Sequence, residues 1–167
     1  MDIEKADEKD WIKLEPSLYD QEESRTHPSG PKRTSPHPYR ARVLIVDDDA
    51  MNQVALEGML TSMGHVVAGM ASNGLDAVEM YKQLSPDVVL MDIVMPFMDG
   101  IEATRRILDL DWNAKILMVS VMGERHTMEK ALAAGAKGFV VKPFRSARLD
   151  EKIVKVLIGS REHQLNK

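Results

Sequence analysis

Unbroken apolar runs punctuate the chain from position 43 onward, and each stops abruptly on a polar residue. Val43-Leu44-Ile45-Val46 ends at Asp47-Asp48-Asp49, and Val88-Val89-Leu90-Met91 ends at Asp92. Ile116-Leu117-Met118-Val119 ends at Ser120, and Phe139-Val140-Val141 ends at Lys142. Runs of this length, rich in β-branched side chains and without polar alternation, predict strands buried on both faces, as in a parallel sheet flanked by helices. A further short strand is expected from His65 to Met70.

Between these runs the apolar spacing becomes helical. After Asp49, a suitable N-cap, Leu56, Leu60 and Met63 share one face until Gly64 stops the helix. Asn73-Gly74 opens a second helix with Ala77, Val78, Met80 and Tyr81, and Pro86 separates it from the next strand. Gly100 leads into a third with Ile101, Ala103, Ile107 and Leu108. Met128, Ala131, Leu132 and Ala134 make a fourth, closed by Gly135, and Leu149, Ile153, Val154 and Leu157 supply the apolar side of a fifth after Pro143. Strict alternation of five strands and five helices predicts an α/β fold, a doubly wound five-stranded parallel sheet.

In such sheets a ligand binds beyond the carboxyl ends of the strands, where the strand order reverses. Asp47, Asp48, Asp92, Ser120 and Lys142 all fall at those ends, so the topology gathers them. Taken singly each has a plain structural role: aspartates after a strand cap helices, Asp92 and Asp99 suit turns, a serine bonds local backbone, and a lysine faces solvent. Together, carboxylates, a hydroxyl and an ammonium are what is needed to hold a divalent cation and a phosphoryl group.

Composition narrows the class. The 167 residues suit one domain, and 44% apolar with 5% aromatic content predicts a core of aliphatic side chains and methionine. Without cysteine there is neither a disulfide framework nor a thiolate metal site. No apolar stretch approaches the roughly 18 to 20 residues of a membrane span, and the acidic start does not read as a signal peptide, so a cytoplasmic protein with no membrane partner is expected. The net charge of −4 does not point to nucleic acid.

Charge asymmetry marks a domain boundary. Residues 1 to 23 carry nine acidic and three basic side chains, whereas residues 24 to 42 carry five Lys or Arg and no acid. Five of the eight prolines lie within the first 38 positions, which disfavours regular structure there. The expected organisation is a disordered tail over 1–41, a folded domain over 42–159 and a short tail over 160–167. Trp11, Ile12, Leu14, Leu18 and Tyr19 could fold onto a partner, although Pro16 interrupts their spacing.

The segments RVLIVDDDAMN, DVVLMDIVMPFMDGIEATRRI, KILMVS and AGAKGFVVKPF, in this order, make residues 42–159 resemble the receiver domain of two-component response regulators. The fourth-helix region is most similar to single-domain, chemotaxis-type (CheY-like) regulators, and the first helix to receivers of hybrid kinases. The resemblance implies strand order 2-1-3-4-5 and a phosphoprotein that accepts a phosphoryl group from a histidine kinase. It also implies the site. Asp92 is the phosphoacceptor, forming an acyl phosphate. Mg2+ is the cofactor, held by Asp48, Asp92 and the Val94 carbonyl directly and by Asp47 through water. Lys142 pairs with a phosphoryl oxygen, and Ser120 is the hydroxyl that moves towards the phosphoryl group. Phe139 turns into the space vacated, so that Ser120 and Phe139 form the switch. The chain then acts less as a conventional enzyme than as a catalyst of its own phosphorylation and slow autodephosphorylation.

The output partner stays open: a flagellar motor, a histidine phosphotransfer protein or an enzyme, read out through the fourth helix, fifth strand and fifth helix. A phosphorelay intermediate, or a receiver fragment of a hybrid kinase or transcription regulator, is the alternative; the eight residues after Gly159 are too few for a helix-turn-helix unit. A more distant alternative is a Mg2+-dependent phosphatase of the haloacid-dehalogenase type, reading Asp47 and Asp49 as its D-x-D motif with Ser120 and Lys142. That reading leaves Asp92 unexplained and lacks a later acidic pair. Finally, Val94 and Met122, two positions past Asp92 and Ser120, cannot orient a hydrolytic water, and Val121 narrows access. A phosphorylated form lasting minutes or longer is expected.

Overall fold

The computed structural model describes residues 39–162, with side chains described to position 159. The proposed leader with Trp11, Ile12, Leu14, Leu18 and Tyr19 lies outside the described residues, as do positions 163–167. Five strands alternate with five helices: β1 (Arg42–Val46), α1 (Ala50–Ser62), β2 (Val66–Ala71), α2 (Gly74–Leu84), β3 (Val88–Met91), α3 (Gly100–Leu110), β4 (Ile116–Ser120), α4 (Arg125–Ala133), β5 (Gly138–Val141) and α5 (Ser146–Glu162). All strand pairs are parallel and the order is β2-β1-β3-β4-β5. The expected doubly wound α/β sheet is therefore the fold.

The unbroken apolar runs are explained by a core on each side of the sheet. Val43, Ile45, Val88, Leu90, Leu117, Val119 and Val140 pack with Leu56 and Leu60 of α1 and with Leu149, Ile153 and Val156 of α5. The alternate residues Leu44, Val46, Val89, Met91, Ile116, Met118 and Phe139 pack with α2, α3 and α4 through Ala77, Tyr81, Ala103, Ile107 and Ala131. Because neighbouring residues in a strand face opposite sides, both layers demand apolar side chains.

Local chemistry sets the helix ends. Asp49 caps α1 by accepting the Met51 N–H, and Asn73 caps α2 by accepting the Asp76 N–H. Asp99, read in the sequence as a turn residue, is the N-cap of α3 and accepts the Glu102 N–H at 2.8 Å. Gly135 stops α4 with φ of +104°, a left-handed conformation that glycine adopts without penalty.

Three expectations need adjustment. The second strand begins at Val66, not His65, because the His65 N–H still closes the end of α1 on the Leu60 carbonyl. The His65 ring is buried, with Nδ1 accepting the Ala41 N–H and Nε2 facing Asp150 at 3.2 Å. Leu132, placed on the apolar side of α4, is 42% exposed, and the inner face of that helix is carried by Ala131. The fifth helix continues to Glu162.

Candidate functional site

The sheet order reverses between β1 and β3: one half winds towards β2 and the other towards β5. The chain turns away at Asp47 on one side of that division and at Asp92 on the other, which opens a crevice between them. One carboxylate oxygen from each of Asp47, Asp48 and Asp92 lies within 4.8 Å of the others. Asp47 is buried, Asp92 is partly buried and Asp48 is exposed, so the cluster opens to solvent on one side.

Asp47 is held by both of its carboxylate oxygens. Its Oδ1 accepts the Asp49 N–H at 2.9 Å and the Asn52 amide at 3.4 Å, while its Oδ2 accepts Lys142 Nζ at 2.6 Å. The same ammonium is 3.6 Å from Asp92 Oδ2. Lys142 follows β5 and is joined to Pro143 by a cis peptide bond. Its N–H donates to the Ser120 carbonyl at 2.8 Å, so the ends of β4 and β5 are tied together beside the cluster.

Asp92 Oδ1 accepts the Ile93 N–H at 2.7 Å. Burial raises the Asp92 pKa above its ordinary value and Asp47 adds to the rise, whereas Lys142, the Ile93 N–H and the nearby Ser120 hydroxyl oppose it. Ser120 is fully buried, and its Oγ also accepts the Met122 N–H at 3.3 Å. Phe139 is buried in the α2–α3–α4 core and pairs in register with Met118. Val94 lies on the loop after β3 with its side chain exposed, as is that of Val121.

The structure thus brings Asp47, Asp48, Asp92, Ser120 and Lys142 together, and it separates Asp49 from them as a cap of α1. A D-x-D reading of Asp47 and Asp49 loses its second member. The donor set fits Mg2+: three carboxylates converge with no nitrogen or sulfur donor among them, as a hard cation requires.

Two residues that matter to the site had weak or no signal in the sequence. Gly100 lies against the backbone of Asp92: a Cβ there would collide with the Asp92 carbonyl oxygen, and the Gly100 N–H donates to the Ile93 carbonyl at 2.8 Å. The acid at position 99 and Glu102 could have marked this helix start, since an N-cap with an acid three residues later is a recognisable pattern. Gln53 reaches the Asp47 backbone from α1, and nothing in the spacing of the chain announces that contact.

Comparison with known proteins agrees with this arrangement. A chemotaxis protein CheY from Thermotoga maritima is 50% identical over 115 residues, covering 69% of this chain and 96% of that protein. The CheY of Bacillus subtilis is 47% identical over 116 residues, covering 70% of this chain and 97% of that protein. Among solved structures, the CheX–CheY–BeF3–Mg2+ complex from Borrelia burgdorferi matches with a TM-score of 0.67 at 37% identity, covering 69% of this chain and 87% of that one. The response regulator domain of Thermotoga maritima CheB matches with a TM-score of 0.67 at 36% identity, over 72% of this chain and 98% of that one. The family model of the response regulator receiver domain matches residues 43–154. With these strands, this sheet order and this acidic crevice, the chain belongs to the response regulator receiver domain family and is closely similar to CheY.

Proposed function

We propose that this chain, with a receiver domain from residue 42 to the end of α5 at Glu162, is a stand-alone response regulator that takes a phosphoryl group from a histidine kinase onto Asp92. The observation that carries the reading is the convergence of Asp47, Asp48 and Asp92 within 4.8 Å, with Lys142 Nζ 3.6 Å from Asp92 Oδ2. An Asp92 carboxylate oxygen attacks the phosphorus, the phosphorus–nitrogen bond of the phosphohistidine breaks, and an acyl phosphate forms while the imidazole leaves. Asp47, Asp48 and Asp92, with the Val94 carbonyl, would hold Mg2+, and the bound cation would offset the repulsion between carboxylate and phosphoryl oxygens.

The remaining residues position and report. Lys142, seated on Asp47 with its ammonium 3.6 Å from Asp92 Oδ2, pairs with an oxygen of the incoming group. Ser120, buried at the end of β4, turns its hydroxyl towards a phosphoryl oxygen and donates a hydrogen bond to it. Phe139, buried in the core with α2, α3 and α4, turns into the space that Ser120 vacates. The resulting shift of population alters the surface of α4, β5 and α5 for a downstream partner. Relatives named as chemotaxis proteins make a chemotaxis output, at a flagellar motor or a related target, the favoured role. Among the described residues no helix is long and apolar enough to cross a membrane; a cytoplasmic place of action is part of the same proposal.

Intact-mass analysis after incubation with a small phosphodonor tests the reading. The wild type should gain one phosphoryl mass only when Mg2+ is present, and Asp92→Asn should gain none. A label that persists in Asp92→Asn and maps to Asp47 would sink it.

A further inference from the structure

Gln53, in the first turns of α1, places a single amide nitrogen within hydrogen-bond reach of three acceptors at the ends of β1 and β2. Nε2 lies 2.7 Å from the Asp47 carbonyl, 3.0 Å from the Ala71 carbonyl and 3.3 Å from Ser72 Oγ. The chemistry fixes which end of the amide points inward, because the side-chain oxygen placed there would face two carbonyl oxygens. The Asp47 N–H itself donates to the Ala71 carbonyl at 3.0 Å. Asp47 is thus bound to the end of β2 twice, once directly and once through Gln53.

The contact bears on the acidic crevice through the planarity of the peptide unit. The Asp47 carbonyl belongs to the peptide joining Asp47 to Asp48, and holding that oxygen fixes the plane that carries both α-carbons. Asp48 is exposed and follows the end of β1. Without an anchor on this peptide, the two neighbouring carboxylates would lose their common orientation towards Asp92. We infer that Gln53 is a positioning residue that sets the Asp47–Asp48 peptide so that both side chains present oxygens to one cation. This inference rests on the reading of Asp47, Asp48 and Asp92 as a Mg2+ site, and it assigns Gln53 no contact with the ion.

The test is calorimetric titration of Mg2+ into the full chain, combined with amide hydrogen exchange at Asp47 in the metal-free protein. Gln53→Met keeps the length of the side chain and removes the donor, Gln53→Arg restores donors, and Tyr81→Phe lowers stability elsewhere by removing the 2.7 Å bond to Asp111. Gln53→Met should weaken Mg2+ binding roughly ten-fold, the scale for residues that orient metal ligands, and should speed exchange at Asp47. Gln53→Arg should recover most of both, and Tyr81→Phe should leave Mg2+ affinity unchanged. Equal affinity in wild type and Gln53→Met overturns the role of Gln53 while leaving the site intact, and so does an equal loss in Tyr81→Phe. A wild type that binds no Mg2+ overturns the site reading, and this inference with it.

Discussion

The Lys142 ammonium lies 2.6 Å from Asp47 Oδ2 but 3.6 Å from Asp92 Oδ2, so the lysine is seated on the buried acid and only leans towards the phosphoacceptor. The side chains of Lys142 and Asp47 are 14% and 1% exposed, so the pair is largely withdrawn from solvent. Ion pairs in this setting stabilise little when intact but cost a great deal when one partner is removed, because the other charge stays buried. Lys142→Met should therefore destabilise the metal-free protein by about 3 kcal/mol in urea unfolding. Added Mg2+ should restore part of that loss, since a cation offsets the same negative charge. A variant as stable as wild type in chelator would contradict the assignment.

Asp92 gives a pH-dependent signature. Its folded pKa is raised above the ordinary 3.8, mainly by burial. A carboxyl shifted in this direction holds its proton more tightly in the folded state. Its contribution to stability is fully present below 3.8 and is lost as pH rises through the folded pKa. Asn cannot ionise and escapes that loss. In chelated buffer Asp92→Asn should melt above wild type at neutral pH, and the gap should close by about pH 3. Thermal melts across that range decide it; a gap that widens on acidification would show the sign to be wrong.

Gly100 tests the backbone support of the phosphoacceptor. A methyl group there meets the Asp92 carbonyl oxygen, and α3 must move to admit it. Overpacking against backbone of this kind should cost about 3 kcal/mol for Gly100→Ala. Phosphorylation of the folded fraction should slow as well, because the loop carrying Asp92 moves with the helix. The control is Gly58→Ala, where a Cβ meets nothing within 4 Å; in the interior of α1 it should stabilise by up to about 1 kcal/mol, the opposite sign.

The lifetime of the phosphorylated form should be set by residues at the mouth of the crevice. The side chains of Val94 and Met122, two positions past Asp92 and Ser120, cannot orient a water, and Val94 and Val121 expose 59% and 71% of their surface. We expect the acyl phosphate to last minutes or longer, and Val94→Asn to shorten it by supplying an amide that orients water. Decay of the phosphorylated mass after donor removal measures both. Loss within seconds in the wild type, with no phosphatase added, would reject the expectation.

Much of this protein was legible in one dimension. A run such as Val88-Val89-Leu90-Met91 must be buried on both faces, because adjacent strand residues point opposite ways, and that demand alone calls for helices on either side of a parallel sheet. The polar residue after each run then falls at a carboxyl end, so Asp47, Asp92, Ser120 and Lys142 share one edge once the sheet is parallel. Asp49 and Asn73 announced their helices through local capping.

Local pattern could not decide what depends on distances between segments far apart in the chain. Asp47, Asp48 and Asp49 are alike in sequence, yet one is buried against Lys142, one is exposed in the cluster and one caps α1, because only the packed loop assigns each a direction. Leu132 follows helical spacing but faces solvent, since its burial depends on whether another element covers it. The reach of Gln53 to the Asp47 carbonyl, and the approach of Gly100 to Asp92, exist only where helix and loop meet. The chain by itself determined the sheet, its helices and the chemistry at one edge, because periodicity and capping act over a few residues. Tertiary structure alone decided which oxygen each polar group faces, because that is set by packing between elements tens of residues apart.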